Sequence, residues 1–277
     1  MRIPLTKYGW PQVVVLPAVV LTVMTVFLLS TMAFLTTWVI VSVEVLLAIA
    51  LIWVLAFFRD PHRTIPADNN LLLAPADGKI TNIEIVDDPP AFLPADPPRL
   101  LIEDNSSGRR GGRRKQEGRR CGKTLRIGIF LSIFNAHINR APCNVTVEMI
   151  TYKKGKHKNA MTPQSGRINE SNDLGLVRID SPKERLIVRQ ISGAIARRIV
   201  CRLMQGQKLT AGEKFGMIKF GSRTELYLPT RENAKCLVKI GDKVKAGLTP
   251  LIRYEKLTAE NAESSNGCGC AARHGYV

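Results

Sequence analysis

The organisation of this chain is decided by residues 11–58, PQVVVLPAVVLTVMTVFLLSTMAFLTTWVIVSVEVLLAIALIWVLAFF, in which Glu44 is the one charged residue. A single transmembrane helix needs about 20 apolar residues, and this stretch has more than twice that number. We therefore expect two spans, Val13–Leu29 and Ala33–Phe58, joined by a turn near Ser30. A cleaved signal peptide is the alternative, but its apolar region is only about 7–15 residues long and ends in a small-residue cleavage site, which this stretch lacks.

The charges around this stretch predict its orientation. Arg2 and Lys7 precede it, and Arg59 and Arg63 follow it. Because basic flanks prefer the cytoplasm, a helical hairpin with these flanks places residues 59–277 on the cytoplasmic face of the cell membrane. The whole chain has 40 Lys and Arg against 23 Asp and Glu, a net charge of +17, which favours an anionic partner. Nucleic acid would explain the charge but not the two spans, so we expect none.

Beyond the spans, the sequence is typical of a β-rich protein. Apolar and polar residues alternate over 125–131 and 145–149, which predicts strands. Further strands are expected at 177–180, 185–189, 214–220, 225–228 and 237–240, and one helix is expected at 191–201. The predicted fold class is mainly β, a compact barrel or sandwich with few helices, behind an N-terminal transmembrane helical hairpin.

Composition divides the chain into three parts. Residues 1–58 form the membrane anchor, 59–260 one domain, and 261–277 a flexible tail. Inside the domain, residues from about 103 to 122 lack apolar periodicity and carry seven basic side chains, which predicts a disordered insertion. It either contacts anionic lipid headgroups or is a solvated segment without a role.

The cysteines at 268 and 270 lack the spacing and the second ligand pair of a zinc site, so no metal is predicted.

Three places in the domain carry residues that could perform chemistry. His137 lies at the end of an apolar strand within 130–142, FLSIFNAHINRAP; a structural histidine is the alternative reading. Asp77 lies in a Pro-Ala-Asp-Gly turn, and Gly221 and Ser222 lie between two apolar strands. Taken alone, the pair at 221–222 is typical of a hairpin turn.

These places belong to a set of five segments that occur in a fixed order. The segments are FRDP at 58–61, PADG at 75–78, FLSIFNAHINRAP at 130–142, FGMIKFGS at 215–222 and KIGDKVKAG at 239–247. The set resembles the phosphatidylserine decarboxylase family, and most of all its short bacterial form. The resemblance covers nearly all of residues 57–255 apart from the basic insertion. Five weak motifs in the right order, behind a membrane anchor, are far more specific than any one of them.

The resemblance implies a proenzyme that cuts itself between Gly221 and Ser222. The Ser222 hydroxyl would attack the Gly221 carbonyl, and elimination and hydrolysis would leave a pyruvoyl group at position 222 as a covalent cofactor. A serine needs an adjacent base, and His137 oriented by Asp77 would supply it. The products would be two chains, 1–221 and 222–277, that remain together as a heterodimer; association of several such molecules is left open.

In turnover, the resemblance implies a Schiff base between the pyruvoyl carbonyl and the amine of phosphatidylserine. Loss of CO2 and return of a proton by His137 would give phosphatidylethanolamine. One position departs from the family, because Arg140 stands where several relatives have a second histidine. Either His137 acts in both self-cleavage and decarboxylation, or Arg140 and a water molecule together take over part of the proton transfer.

Two other functions stay open at this point. One is a pyruvoyl decarboxylase that acts on a lipid with another headgroup. The other is a membrane-tethered carrier or adaptor of the biotinyl or lipoyl type; Lys243 lies in the turn-rich stretch 238–247 but lacks the flanking pattern of a modified lysine. A carrier gives no reason for the set formed by Asp77, His137 and Ser222.

Overall fold

The computed structural model describes residues 5–31, 37–86, 123–161, 165–194, 198–219 and 221–255. The predicted basic insertion and the C-terminal tail lie outside these ranges. Two long helices, α1 (Gln12–Thr31) and α2 (Thr37–Phe57), pack against each other near the N-terminus. They match the two predicted spans to within a few residues. Mean hydropathies of 2.6 and 2.8 make both helices apolar enough to cross a bilayer, which is compatible with membrane association.

The remainder is almost entirely β, so the predicted fold class is confirmed. Fourteen strands are present in the described residues, with one helical turn, α3 (Ser165–Ile168), between the fifth and sixth. The strands are β1 (Leu71–Leu73), β2 (Gly78–Val86), β3 (Thr124–Leu131), β4 (Ile138–Arg140), β5 (Val145–Lys153), β6 (Ser171–Arg178), β7 (Arg185–Ile191), β8 (Arg198–Cys201), β9 (Lys208–Leu209), β10 (Lys214–Lys219), β11 (Ser222–Pro229), β12 (Ala234–Cys236), β13 (Lys243–Val244) and β14 (Pro250–Tyr254).

Eight of these strands form one antiparallel sheet in the order β13-β2-β3-β11-β7-β6-β5-β9. One of its faces is apolar because alternate residues of each strand point to the same side. Ile127 and Ile129 of β3, Leu226 of β11, Val188 of β7 and Leu174 of β6 are all fully buried on this core face. The strand β11 is central, since it pairs with β3 along its whole length and with β7 over most of it.

Two three-stranded sheets complete the domain, in the orders β1-β14-β12 and β4-β10-β8. The second of these connects the domain to the helices. Met217 of β10 packs with Tyr8, Val54, Phe57 and Phe58 in one apolar cluster. The backbone N–H of Thr6 also donates to the Phe58 carbonyl at 3.0 Å. The helical hairpin is therefore fixed to the β-domain at its base by buried apolar contacts.

Two local predictions are wrong, and the strand expected at 177–180 coincides only with the end of β6 at Arg178. The described residues of 191–201 do not form a helix, because β7 ends at Ile191 and 198–201 form β8, which pairs with β10. The β-branched Ile199 and Val200 favour a strand wherever a partner strand is available to them. Residues 237–240 do not form a strand; the chain there leaves β12 and turns toward β13.

Candidate active site

The peptide bond between Gly221 and Ser222 lies where the chain crosses from one sheet to another. A hairpin turn would pair the strands on either side of it. Instead, β10 belongs to the small sheet and β11 to the large one, so the two strands are not partners. Gly221 has φ +53°, in the left-handed region that favours glycine. The crossing therefore depends on a backbone conformation that a side chain at 221 would strain.

The carbonyl oxygen of Gly221 is packed directly against Gly193, which follows β7. A Cβ atom at position 193 would lie 1.9 Å from that oxygen and 3.3 Å from the Cβ of Ala160. Real Cβ atoms do not approach other atoms so closely, so residue 193 must be glycine for the oxygen to occupy this place. Gly193 was not found from the sequence, because only its contact with a distant part of the chain distinguishes it from other loop glycines.

Ser222 and His137 are both completely buried, and each has a reactive atom without a hydrogen-bond partner among the described residues. These atoms are Ser222 Oγ and His137 Nε2. The other ring nitrogen, Nδ1, lies 2.9 Å from the carbonyl oxygen of Asn135, so it donates its proton there. In that tautomer Nε2 has a free lone pair. Polar atoms left unpaired in a protein interior are costly, and such atoms are commonly kept for function.

Burial also decides the charge of His137. Removal from water lowers its pKa from 6.5 to about 4, although the Asn135 carbonyl and the charge of Asp77 act in the opposite direction. The imidazole is therefore neutral at pH 7 and can accept a proton. One of its faces lies against the last residue of α2, since the ring centroids of Phe57 and His137 are 4.4 Å apart. No local sequence pattern predicts this contact with Phe57.

Asp77 is held in place by an arginine that sequence reasoning missed. Arg63 donates to both carboxylate oxygens, at 2.6 and 2.7 Å, and the backbone N–H of Ala246 donates to Oδ1 at 2.8 Å. Both side chains of the pair are largely buried. Asp77 is near enough to act electrostatically on His137, but no hydrogen bond joins Asp77, His137 and Ser222 in the described part of the chain. The three predicted site residues are thus buried in the same domain without a formed hydrogen-bonded triad.

Arg140 does not take the place of a second histidine in this geometry. Its guanidinium donates to the carbonyls of Gly212 and Pro61, at 3.0 and 3.1 Å, and lies 3.7 Å from Asp60. These contacts connect β4 to the segment that leaves α2. A guanidinium engaged in this way, and always protonated, is a structural cation and not a base.

A buried amide network fixes the strand that follows His137. Asn139 of β4 donates to Thr224 Oγ1 of β11 at 3.1 Å and accepts from Gln190 of β7 at 2.8 Å. Gln190 in turn accepts from Asn172 of β6 at 3.0 Å. Since every one of these side chains is buried, the network holds the histidine strand in register against the strand that begins with Ser222.

Comparison with known proteins identifies the family. The sequence profile described as phosphatidylserine decarboxylase matches residues 50–251, which include all three predicted site residues. The phosphatidylserine decarboxylase proenzyme of Pelagibacter ubique is 39% identical over 202 residues, covering 73% of this chain and 80% of that protein. The proenzyme of the same name from Ralstonia pickettii is 37% identical over 207 residues, covering 75% and 81%. The chain is a decarboxylase that belongs to the phosphatidylserine decarboxylase family.

Proposed function

We propose that this protein is a self-processing decarboxylase of the cell membrane that converts phosphatidylserine to phosphatidylethanolamine and CO2, using a pyruvoyl group made from Ser222. One observation carries the proposal. The Ser222 hydroxyl is buried without a partner, directly after a glycine whose carbonyl oxygen is held against Gly193. A serine kept in this state beside a positioned carbonyl is suited to attack its own backbone.

Self-cleavage needs a base, and His137 supplies one. Its neutral Nε2 accepts the Ser222 hydroxyl proton as Oγ adds to the Gly221 carbonyl carbon. The C–N bond then breaks and an ester replaces the amide. Loss of the Cα proton of residue 222 expels the Gly221 carboxylate, and hydrolysis of the resulting dehydroalanine releases ammonia and leaves the pyruvoyl group. Asp77 is held in place by Arg63, and its negative charge stabilises the imidazolium that forms.

The surroundings of residue 222 fit a pyruvoyl group. They are buried, and a Cβ at Gly221 would meet no atom closer than 4.0 Å, so room remains beside residue 222. When present, this group takes up the substrate amine and accepts the electron pair that departing CO2 leaves behind. The role of His137 is proton transfer. Its Nε2 takes a proton from the substrate ammonium and returns it to the carbon that has lost CO2. Burial keeps bulk water from competing for that proton.

The location of the site suits a lipid substrate. Phe57 ends α2 and contacts His137, so the imidazole lies at one end of a helix that we place in the bilayer. Arg59 donates to the carbonyl of Phe134 at 2.7 Å, and the Phe134 side chain is 70% exposed in the loop before His137. An exposed aromatic next to an arginine is typical of a membrane interface. With basic flanks on both sides of the hairpin, the catalytic domain lies on the cytoplasmic face.

Intact-mass spectrometry of the purified protein tests the proposal. Scaling the 30.7 kDa mass by 221/277 and 56/277 gives about 24.5 and 6.2 kDa for the two expected chains. The smaller should begin at residue 222 with the mass of a pyruvoyl terminus, and the preparation should release CO2 from phosphatidylserine. Ser222→Ala should remain a single inactive chain, whereas Ser42→Ala, which removes a hydroxyl from the first half of α2, should be cleaved normally. Two chains of these masses from Ser222→Ala would refute the assignment.

A further inference from the structure

Lys219, the last residue of β10, is a buried cation with an unusual environment. It is 4% exposed, and its Nζ donates to Gln12 Oε1 at 2.6 Å. The three buried arginines of the described residues, Arg140, Arg178 and Arg223, each lie within 4 Å of a carboxylate. Lys219 has no such carboxylate within the described part of the chain. A buried ammonium is costly without an anion beside it, so this position calls for one.

Two further cations surround the same place. Arg198 of β8 is directly opposite Lys219 across the β8–β10 pair, and Arg202 lies farther along the same chain segment. Both arginines are exposed and neither forms an ion pair with a described residue. Burial lowers the pKa of Lys219, and the charges of Arg198 and Arg202 lower it further. Three like charges that converge without a counter-ion are stabilised by binding an anion.

The position of this cation cluster, Lys219 with Arg198 and Arg202, relates it to the membrane and to the active site. Met217 and Val200 form the cross-strand pair two residues away from Lys219 and Arg198, and they pack against the base of the helical hairpin. Gln12, the partner of Lys219, is the first residue of α1. Ser222 follows Lys219 by three residues, a chain distance of at most about 10 Å. The cluster is therefore beside the reacting residue, at the level where the helices enter the domain.

We infer that Lys219, Arg198 and Arg202 bind the phosphodiester of the lipid substrate and so fix the distance between the headgroup amine and residue 222. The inference rests on the proposed function and deepens it. The substrate also has a carboxylate, but a cation paired with that group would stabilise the charge that the reaction must remove, and would slow the reaction. The phosphodiester keeps its charge throughout, so cations placed on it orient the substrate without opposing the chemistry.

The test uses cleaved enzyme and phosphatidylserine diluted in uncharged detergent micelles, with rates normalised to pyruvoyl content. Lys219→Met should raise KM about tenfold and change kcat much less, as expected for loss of a charge-assisted contact made equally in ground and transition states.

A second measurement is calorimetric binding of glycerophosphoethanolamine and of ethanolamine. The parent should prefer the phosphorylated compound, and Lys219→Met should lose that preference. Lys208→Met, at the far edge of the large sheet, removes an equal charge and should change neither quantity.

Arg198→Met provides an independent route if Lys219→Met is not cleaved, because Arg198 lies on a neighbouring strand. The inference is refuted if the parent decarboxylates phosphatidylserine while KM and the preference for the phosphorylated compound stay unchanged in both variants. It is equally refuted if the variants lose only adsorption to phosphatidylglycerol vesicles, since that would assign the cations to general lipid attraction. A parent that is uncleaved, or cleaved but inactive, contradicts the proposed function instead, and the calorimetric comparison then still tests the anion site.

Discussion

Gly193 is the position where a single methyl group should stop maturation. The added Cβ of Gly193→Ala would lie 1.9 Å from the Gly221 carbonyl oxygen, whereas real Cβ contacts begin near 3.0 Å. The carbonyl must therefore move by about 1 Å, and a displacement of that size in a reacting group can reduce the rate about 100-fold. Because φ at position 193 is not in the left-handed region, the substitution tests the contact and not the backbone conformation.

The assay is a time course of cleavage on denaturing gels after synthesis in a cell-free system. Ala194→Ser is the matched control, since it adds one heavy atom at the next, exposed position and should be cleaved at the parental rate. Melting temperatures measured in the uncleavable Ser222→Ala background separate misfolding from slow chemistry; overpacking of this kind costs about 1–3 kcal/mol. Cleavage of a folded Gly193→Ala protein at the parental rate would show that the carbonyl position does not matter.

Four further outcomes follow from the buried contacts. With the pKa of His137 near 4, the self-cleavage rate should be flat from pH 8 to about 5 and fall below that; a midpoint near 6.5 would contradict a buried base. The unfolded state binds the His137 proton more readily, so between pH 6.5 and about 4 the free energy of unfolding should drop by up to about 3 kcal/mol, a drop absent from His137→Phe in denaturant titrations. Phe57→Leu should shift the midpoint of the cleavage profile upward as water reaches the ring, and an unchanged midpoint would contradict the role given to Phe57. Arg63→Met should destabilise the protein by about 3–5 kcal/mol by leaving the Asp77 carboxylate unpaired, and added Asp77→Asn should recover part of that loss in thermal melts.

Alternation of apolar and polar residues correctly predicted two strands of the large sheet, β3 and β5. It succeeded at β3 and β5 because alternate residues there are more deeply buried than their neighbours, whereas β11 is buried on both faces. It failed at 191–201, where β8 is defined by its partner β10 and not by its own sequence. It also could not show that the chain changes sheets at Ser222, because that depends on which distant strands pair with β10 and β11.

For the active site, sequence reasoning pointed to Ser222, His137 and Asp77, and their catalytic roles stay predictions. Each lies in a recognisable sequence motif, and this is why the sequence alone could single them out. The sequence alone could not single out Phe57, Arg63 and Gly193 as site residues. Each of them is distinguished by a contact with a residue distant in sequence. A ring that covers a histidine, an arginine that neutralises an aspartate and a missing Cβ have no local sequence pattern.

The central place of β11 has a consequence for the lifetime of the mature protein. Before cleavage, β11 inserts between β3 and β7 as part of one polypeptide, at the millimolar effective concentration that a covalent tether provides. After the proposed cut, the same strand belongs to a free 56-residue fragment, and reinsertion becomes a bimolecular event at the far lower concentration of the protein itself. A cleaved molecule that unfolds once would therefore refold far less efficiently than the uncleaved chain. Its survival would depend on the height of the unfolding barrier and not on the free energy of folding, so the proposed maturation would replace thermodynamic stability by kinetic stability.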